Sequence, residues 1–305
     1  MSFPADSASA SAALPVDPLW PRAGNWPAAS GHADFALVGV PTWRTSISAT
    51  NAGQTPDAVR AMIPRYSSFS HAGGRELAFA DCGNISDADA DEQRAIAEIA
   101  AIDAELVVAL GGDNAATVPV ALGRWGDRLA TAGLVTVDAH YDLRDGISNG
   151  SPVRRLIEAG LAGSRVVQVG ISDFANSAEY AARARDFGIT VVLRDELLRR
   201  PMADVMAEAL EIAGGAGGPI HVDLDVDVCD RSVAPACPAS VPGGIAAHEL
   251  RAAARAAGKY QQVVSIDLVE VDATADTPDA RTIRLVALCV LEAAAGLRER
   301  ESRPR

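Results

Sequence analysis

A single α/β domain in three layers is the fold this 305-residue chain predicts: a parallel sheet of about eight strands with helices on both faces. Three observations carry it. Apolar, β-branched runs alternate with Ala-rich stretches of helical pattern along most of the chain. The runs are apolar on both faces, as strands sandwiched between two helical layers must be. Polar groups then recur just after the runs, at what would be one edge of such a sheet.

Taken in order, the first residues are rich in Ala, Ser and Pro. Residues 1–33 therefore read as a flexible N-terminal arm, with Trp20 and Trp26 as candidates to pin it to the body. Strand patterns follow at 35–40 (FALVGV), 106–110 (LVVAL), 134–137 (LVTV), 166–169 (VVQV), 190–193 (TVVL), 220–224 (IHVDL) and 263–269 (VVSIDLV). Helical patterns occupy 56–63, 88–104, 115–122, 177–187, 202–213, 247–257 and 282–297. No internal repeat appears, and no linker is long enough to divide the chain. Residues 34–298 thus read as one domain, and 299–305 as a charged, frayed tail.

Hydrophobic residues make up 49% of the chain and aromatic ones 5%, so the core is built mainly from Ala, Val, Leu and Ile. The net charge of −13 argues against nucleic-acid partners and against an anionic membrane surface. No apolar run reaches the ~18 residues a bilayer span needs. The N-terminus lacks the basic-then-apolar pattern of a signal peptide. The cysteines Cys82, Cys229, Cys237 and Cys289 are scattered and form no C-x-x-C pair. They read as reduced thiols, which with the rest predicts a cytoplasmic protein.

Two short runs concentrate the chemistry: Asp138-Ala-His140-Tyr-Asp142 and Asp223-Leu-Asp225-Val-Asp227. Each follows a strand pattern. At spacing two, alternate side chains of an extended chain point the same way. Two such runs facing one pocket gather carboxylates that cannot coexist there without cations. Gly111-Gly112-Asp113-Asn114 and Glu270 close two further strand patterns at the same edge. Residue types alone leave open which two of Asp223, Asp225 and Asp227 bind metal. Asp113 and Asp230 read as loop braces. His71, His221 and His248 read as core or surface residues.

These segments resemble the ureohydrolase family, which includes arginase, agmatinase and formimidoylglutamase. Gly111-Gly112-Asp113-Asn114, the run from Asp138 to Asp142, and the run from Asp223 to Ala234-Pro235 carry the resemblance, in family order. Ser148–Arg154 and Val222–Gly244 look most like formimidoylglutamase. The resemblance implies the arginase-like fold and two Mn²⁺ ions per subunit. Spacing to Asp230 and Ala234-Pro235 then makes Asp225 and Asp227 the ligands. Asp138 and Asp225 would bridge the ions. Asp142 and position 114 would complete one site, His140 and Asp227 the other. Four carboxylates against two divalent ions nearly balance in charge.

Asn114 stands where the family has a ligand histidine, so it is a weak or absent ligand. Asn149 stands where arginases use a histidine for proton shuttling, which disfavours arginase activity. The implied reaction is hydrolysis of N-formimidoyl-L-glutamate to L-glutamate and formamide, a step of histidine degradation. Glu270 would pair with the amidinium and Asp142 would carry the proton. Arg154 and Arg144, read as lying on a loop near the pocket, would receive a carboxylate of this small anionic amidine, with Asn149 adding a hydrogen bond. The alternatives are a guanidino-acid or agmatine ureohydrolase releasing urea, and a metal-poor, non-catalytic relative. Family resemblance also implies a homo-oligomer, a trimer or hexamer.

Overall fold

The computed structural model describes residues 14–71 and 73–300, and the statements below concern those. Eight strands form one sheet: β1 Ala33–Val40, β2 Phe79–Asn84, β3 Ala104–Gly111, β4 Gly133–Val137, β5 Val166–Ile171, β6 Thr190–Leu193, β7 Ile220–Asp225 and β8 Val263–Val269. All neighbours pair parallel, in the order β2-β1-β3-β8-β7-β4-β5-β6. The helices are α1 Thr55–Met62, α2 Glu92–Ala100, α3 Thr117–Trp125, α4 Pro152–Ala159, α5 Ala178–Phe187, α6 Met202–Ala213, α7 Ala247–Lys259 and α8 Arg281–Arg298.

The two sheet faces bury different helices. On one face Leu37, Leu110, Val135 and Leu224 pack with Val59 of α1, Met206 of α6, Ala253 of α7 and Val290 of α8. On the other, Val38 and Ala109 pack with Ile99 of α2 and Val120 of α3, while Leu134 and Val166 meet Trp125, Leu156 of α4 and Ala184 of α5. Apart from Glu105 in β3, the central strands β3, β4, β5 and β7 are buried along their whole length, which is why their sequences are largely apolar on both faces.

Departures from the sequence reading have local causes. β2 is an added edge strand whose last four residues are exposed, so no apolar run announces it. α4 was not expected at all. It starts on Pro152 in its first turn and stops at Gly160, whose φ is 124°. Arg154 therefore sits on a helix, not on the loop expected for it. α2 is shorter than 88–104: the Asp91 side chain accepts from the Arg94 N–H and fixes its start.

Of the N-terminal arm, residues 1–13 lie outside the described residues. Residues 22–29 are tied to the body through Ala23 N–H to Tyr66 O and Ala29 N–H to Phe79 O. Trp26 packs against Phe35 and Phe79, while Trp20 is half exposed. Of the tail, Glu299 pairs with Arg255 and Lys259. Residues 301–305 lie outside the described residues.

Gly112 sets the geometry of the β3 edge. A Cβ there would lie 1.9 Å from the Thr42 carbonyl oxygen, so only glycine lets the loop after β1 close against the end of β3. Gly112 O also accepts from Glu270 N–H, which ties the end of β8 to the same point.

Candidate metal centre

The carboxyl edges of β3, β4, β7 and β8 deliver the predicted residues to one cavity of about 720 Å³. His140, Asp142, Asn149, Asp225, Asp227 and Glu270 line it. Asp138 lies beneath, fully buried at the end of β4. Its Oδ1 accepts from His140 N–H at 2.7 Å, and Asp225 Oδ1 likewise accepts from Asp227 N–H at 2.8 Å. Each aspartate therefore folds its own run into a tight turn that returns the next residue to the same centre.

One donor set is closed around a point. Ligand atoms of Asp138, His140 and Asp227 lie within 4.8 Å of one another. Asp138 Oδ2 and Asp227 Oδ1 are buried and lack hydrogen-bond partners. Orphaned lone pairs on two carboxylates grouped with an imidazole are what a divalent cation would satisfy, so these residues fit a metal ion. His140 Nδ1 lies 3.1 Å from Asp227 and 3.5 Å from Asp138. Burial opposes its charge, but the Asp227 and Asp138 carboxylates outweigh burial and push the imidazole up to about 12. Burial raises the Asp138 carboxyl to about 6, aided by Asp227.

The adjoining half is differently arranged. Asn114 Nδ2 donates to Asp142 Oδ2 at 2.5 Å and to Asp225 Oδ2 at 3.2 Å. Thr117 Oγ1 donates to Asn114 Oδ1 at 2.5 Å. The amide thus turns its N–H groups, not its oxygen, toward the carboxylates. Burial and neighbouring carboxylates hold Asp142 and Asp225 well above the usual range.

Glu270 Oε1 accepts from Asn114 N–H at 2.9 Å and from Asn149 Nδ2 at 2.6 Å. Burial, then Asp113 and Asp227, push its carboxyl up to about 8. Asn149 Oδ1 accepts from Ile47 N–H, so both ends of that amide serve protein groups. Asp142 (φ 52°) and Glu270 (φ 61°) both hold left-handed backbone, a strain that sequence patterning cannot reveal.

Arg154 requires a correction. Its guanidinium donates to the carbonyls of Arg144 and Gly146 and pairs with Glu158. The arginines that line the cavity are Arg144 and Arg183. Among the described residues nothing hydrogen-bonds the Arg144 guanidinium, and its stem lies over Gly150, where a Cβ would meet Cδ at 2.7 Å. Sequence reasoning missed Arg183, Asn176 and Tyr180 on this wall, because neither the loop after β5 nor helix α5 carries a motif. Asp113 and Asp230 brace loops as expected, through Ser46 and through Ser232 with Gly243. Asp223 is fully buried and does not line the cavity.

Fold and centre together define a class, and sequence comparison agrees with it. The arginase family signature matches residues 33–296, and the chain belongs to that family. The class of reaction is hydrolysis of a linear amidine carbon–nitrogen bond. Among its relatives, formimidoylglutamase of Halalkalibacterium halodurans is 33% identical over 79% of this chain and 81% of its own. That of Bacillus subtilis is 30% identical over 86% and 87%. The crystal structure of the Bacillus subtilis enzyme superposes with a TM-score of 0.87, at 26% identity over 96% of this chain and 97% of that one. A Trypanosoma cruzi formiminoglutamase crystallised with Mn²⁺ shares the fold, with a TM-score of 0.83 at 22% identity over 92% of this chain and 100% of that one.

Proposed function

We propose that this chain hydrolyses N-formimidoyl-L-glutamate to L-glutamate and formamide with two Mn²⁺ ions. The observation that carries the reading is an unpaired arginine, Arg144, on the wall of a cavity whose floor is carboxylates and one imidazole. Such a cavity suits a ligand with a cationic amidine at one end and a carboxylate at the other. Relatives named formimidoylglutamase, matched over most of the chain, support the same substrate.

Asp138, His140 and Asp227 would hold one ion, and Asp138, Asp142 and Asp225 the other. Divalent ions bound there would neutralise the carboxylates and lower the pKa of a water toward neutrality. Glu270 holds the amidine. Asn114 and Asn149 aim its carboxylate, and that carboxylate can accept two amidinium N–H groups. Asp142, lining the cavity, takes a proton from the attacking water and passes it to the departing nitrogen. Arg144 takes a substrate carboxylate, the part the sequence reading gave mainly to Arg154. Arg154 instead braces the loop from Arg144 to Gly146. Three buried cysteines and one exposed, none in a disulfide, support a cytoplasmic setting. No helix among the described residues is long and apolar enough to cross a membrane. The homo-oligomer implied by the family is open to light scattering.

A guanidino acid would fit Arg144 equally well. Guanidinopropionase of Pseudomonas aeruginosa is 34% identical over 61% of both chains. The deciding assay loads the protein with Mn²⁺ and measures formamide, urea and ammonia from N-formimidoyl-glutamate, 3-guanidinopropionate, agmatine and arginine. Formamide from the first substrate is expected. Faster urea release from any guanidino compound would overturn the assignment. Glu270→Gln should slow every accepted amidine alike, by roughly 10- to 100-fold.

A further inference from the structure

One wall of the cavity carries more donor capacity than a single carboxylate needs. Helix α5 and the loop after Asp142 meet there, and they bring two guanidinium groups to it, Arg183 and Arg144. Arg183 is the one that reaches across. Its Nη1 donates to Leu143 O at 2.6 Å and to the Asp145 carboxylate at 2.8 Å. Leu143 and Asp145 flank Arg144 in the chain. One guanidinium therefore ties down both neighbours of the other, and the two belong to a single stretch of wall. Tyr180, three residues earlier on α5, carries the Arg183 guanidinium over its ring, with Cζ 5.7 Å from the centroid.

An arginine has five N–H donors in a planar fork. The two on Arg183 Nη1 are used by the protein. The three on Nε and Nη2 have no partner among the described residues. Those two nitrogens form one edge of the guanidinium, the kind of edge that grips a carboxylate through two parallel hydrogen bonds. Arg154 offers the contrast. Its Nε and Nη2 donate to the carbonyls of Arg144 and Gly146, and its Nη1 pairs with Glu158. Every nitrogen of Arg154 is occupied, so it is a brace and nothing more. Arg183 braces with one nitrogen and keeps a carboxylate-binding edge, on a side chain that lines the cavity and is 33% exposed.

The two forks stand differently toward the metal centre. The Arg144 stem lies over Gly150, next to Asn149, whose amide holds Glu270. Arg144 is thus on the side of the amidine clamp, where a carboxylate on the carbon bearing the amidine nitrogen would lie. Arg183 enters from α5 and is left for a second carboxylate further along the substrate. Asp145 and Glu179 share the cavity, but Asp145 is engaged by Nη1 and Glu179 is exposed. A guanidinium can hold one carboxylate on each edge, so Asp145 does not close the Nε–Nη2 edge. A substrate with a single carboxylate, such as 3-guanidinopropionate, would use only one of the two forks.

We propose that Arg183 determines specificity for a dicarboxylate: its Nε–Nη2 edge takes the distal carboxylate of the substrate, while Arg144 takes the carboxylate next to the amidine. This role deepens the N-formimidoyl-glutamate reading and rests on it for the identity of the amidine. The requirement for two carboxylates is separate from that identity, because Arg183 recognises the acid and Glu270 the amidine.

N-formimidoyl-L-glutamine is the probe, because it keeps the shape of the distal group and removes its charge. Steady-state kinetics of the Mn²⁺-loaded protein should give a kcat/KM about tenfold higher for N-formimidoyl-glutamate than for N-formimidoyl-glutamine, with most of the difference in KM. Tenfold lies between a fully exposed ion pair and a buried one, as befits a partly exposed arginine. Arg183→Met keeps the stem, removes the fork and should bring that ratio close to one. Arg183→Lys, which restores a charge without the fork, should recover part of it. An arginine that only braces the loop would, when lost, slow both compounds alike and leave the ratio where it was. That result would overturn the proposal, as would an unaltered protein that does not distinguish the two compounds. Should Arg183→Met not fold, the ratios of the unaltered and Arg183→Lys proteins decide. If the unaltered protein releases urea from guanidino compounds and no formamide, the substrate reading fails. The same ratio, taken with N-amidino-glutamate and N-amidino-glutamine, then tests Arg183 by itself.

Discussion

The half of the centre built on Asp138, His140 and Asp227 and the half built on Asn114, Asp142 and Asp225 use one device, carboxylates returned to a point by turns at strand ends. They differ in what satisfies the carboxylates. In the first half, Asp138 Oδ1 and Asp227 Oδ2 contact His140, while Asp138 Oδ2 and Asp227 Oδ1 are buried with no hydrogen bond. In the second, the Asn114 amide already donates to Asp142 and Asp225, and Thr117 holds its other end. A cation entering the first half gains two carboxylate oxygens free of hydrogen bonds and displaces the proton that His140 holds between Asp138 and Asp227. One entering the second must compete with an amide N–H or turn it over. One asparagine thus makes two similar sites unequal.

The largest effect belongs to the residue that serves both halves. Asp138→Ala should remove metal from the whole centre and cut activity by well over 100-fold, beyond the ~10- to 100-fold usual for an outer partner. Elemental analysis and turnover check it. Unchanged metal content would break the account of both halves at once.

Much of this centre is legible in the sequence. Spacing-two runs after apolar strands place Asp138, His140, Asp142, Asp225 and Asp227 at one edge, because a parallel sheet aligns its strand ends. What is not legible depends on tertiary closure. Asp223 and Asp225 have the same residue type and the same strand face. Only the end of β7 at Asp225 separates the buried one from the cavity-lining one. The sequence position of Arg154 is close to the centre, yet one helical turn starting at Pro152 aims it at carbonyls of the preceding loop. His221 shows no sequence partner, because Asp267 and Ser265 reach it from another strand.

The next effect separates two arginines. Arg144→Ala should lower kcat/KM for a carboxylate-bearing amidine about tenfold or more, with metal content unchanged. Arg154→Ala should instead lower stability, since three protein groups lose their donor. If Arg154→Ala proves the more damaging to kcat/KM in a folded, metal-loaded protein, the reassignment is wrong.

Acidity distinguishes metal-free from metal-loaded protein. Without metal, Asp138 is raised from 3.8 to about 6 by burial, with Asp227 adding to it. A raised folded-state pKa means the folded protein holds the proton more tightly. Its stabilising contribution is then complete below pH 3.8 and is lost as pH rises through about 6, on the order of 3 kcal/mol. Glu270, raised from 4.5 to about 8, acts in the same direction. Metal binding releases those protons and removes the penalty. The gap in Tm between Mn²⁺-loaded and chelator-treated protein should therefore widen from pH 5 to pH 8. A gap that narrows over that range would contradict the protonation states assigned here.

The smallest effect is the one that addresses the asymmetry itself. In the present chain the Asn114 amide offers hydrogens to Asp142 and Asp225, so a second ion would have to bind against it. Asn114→His replaces that group with an imidazole, which in its neutral form presents a nitrogen lone pair to the same point. The first ion, held through Asp138, His140 and Asp227, should bind as before, while the second should tighten about tenfold, the change worth one good hydrogen bond no longer broken. Calorimetric titration of metal-free protein with Mn²⁺ resolves the two steps. Two equal, tight steps in the unaltered protein would show that the amide turns over without cost. The two halves would then differ in hydrogen bonding alone, and the inequality drawn from Asn114 would fail.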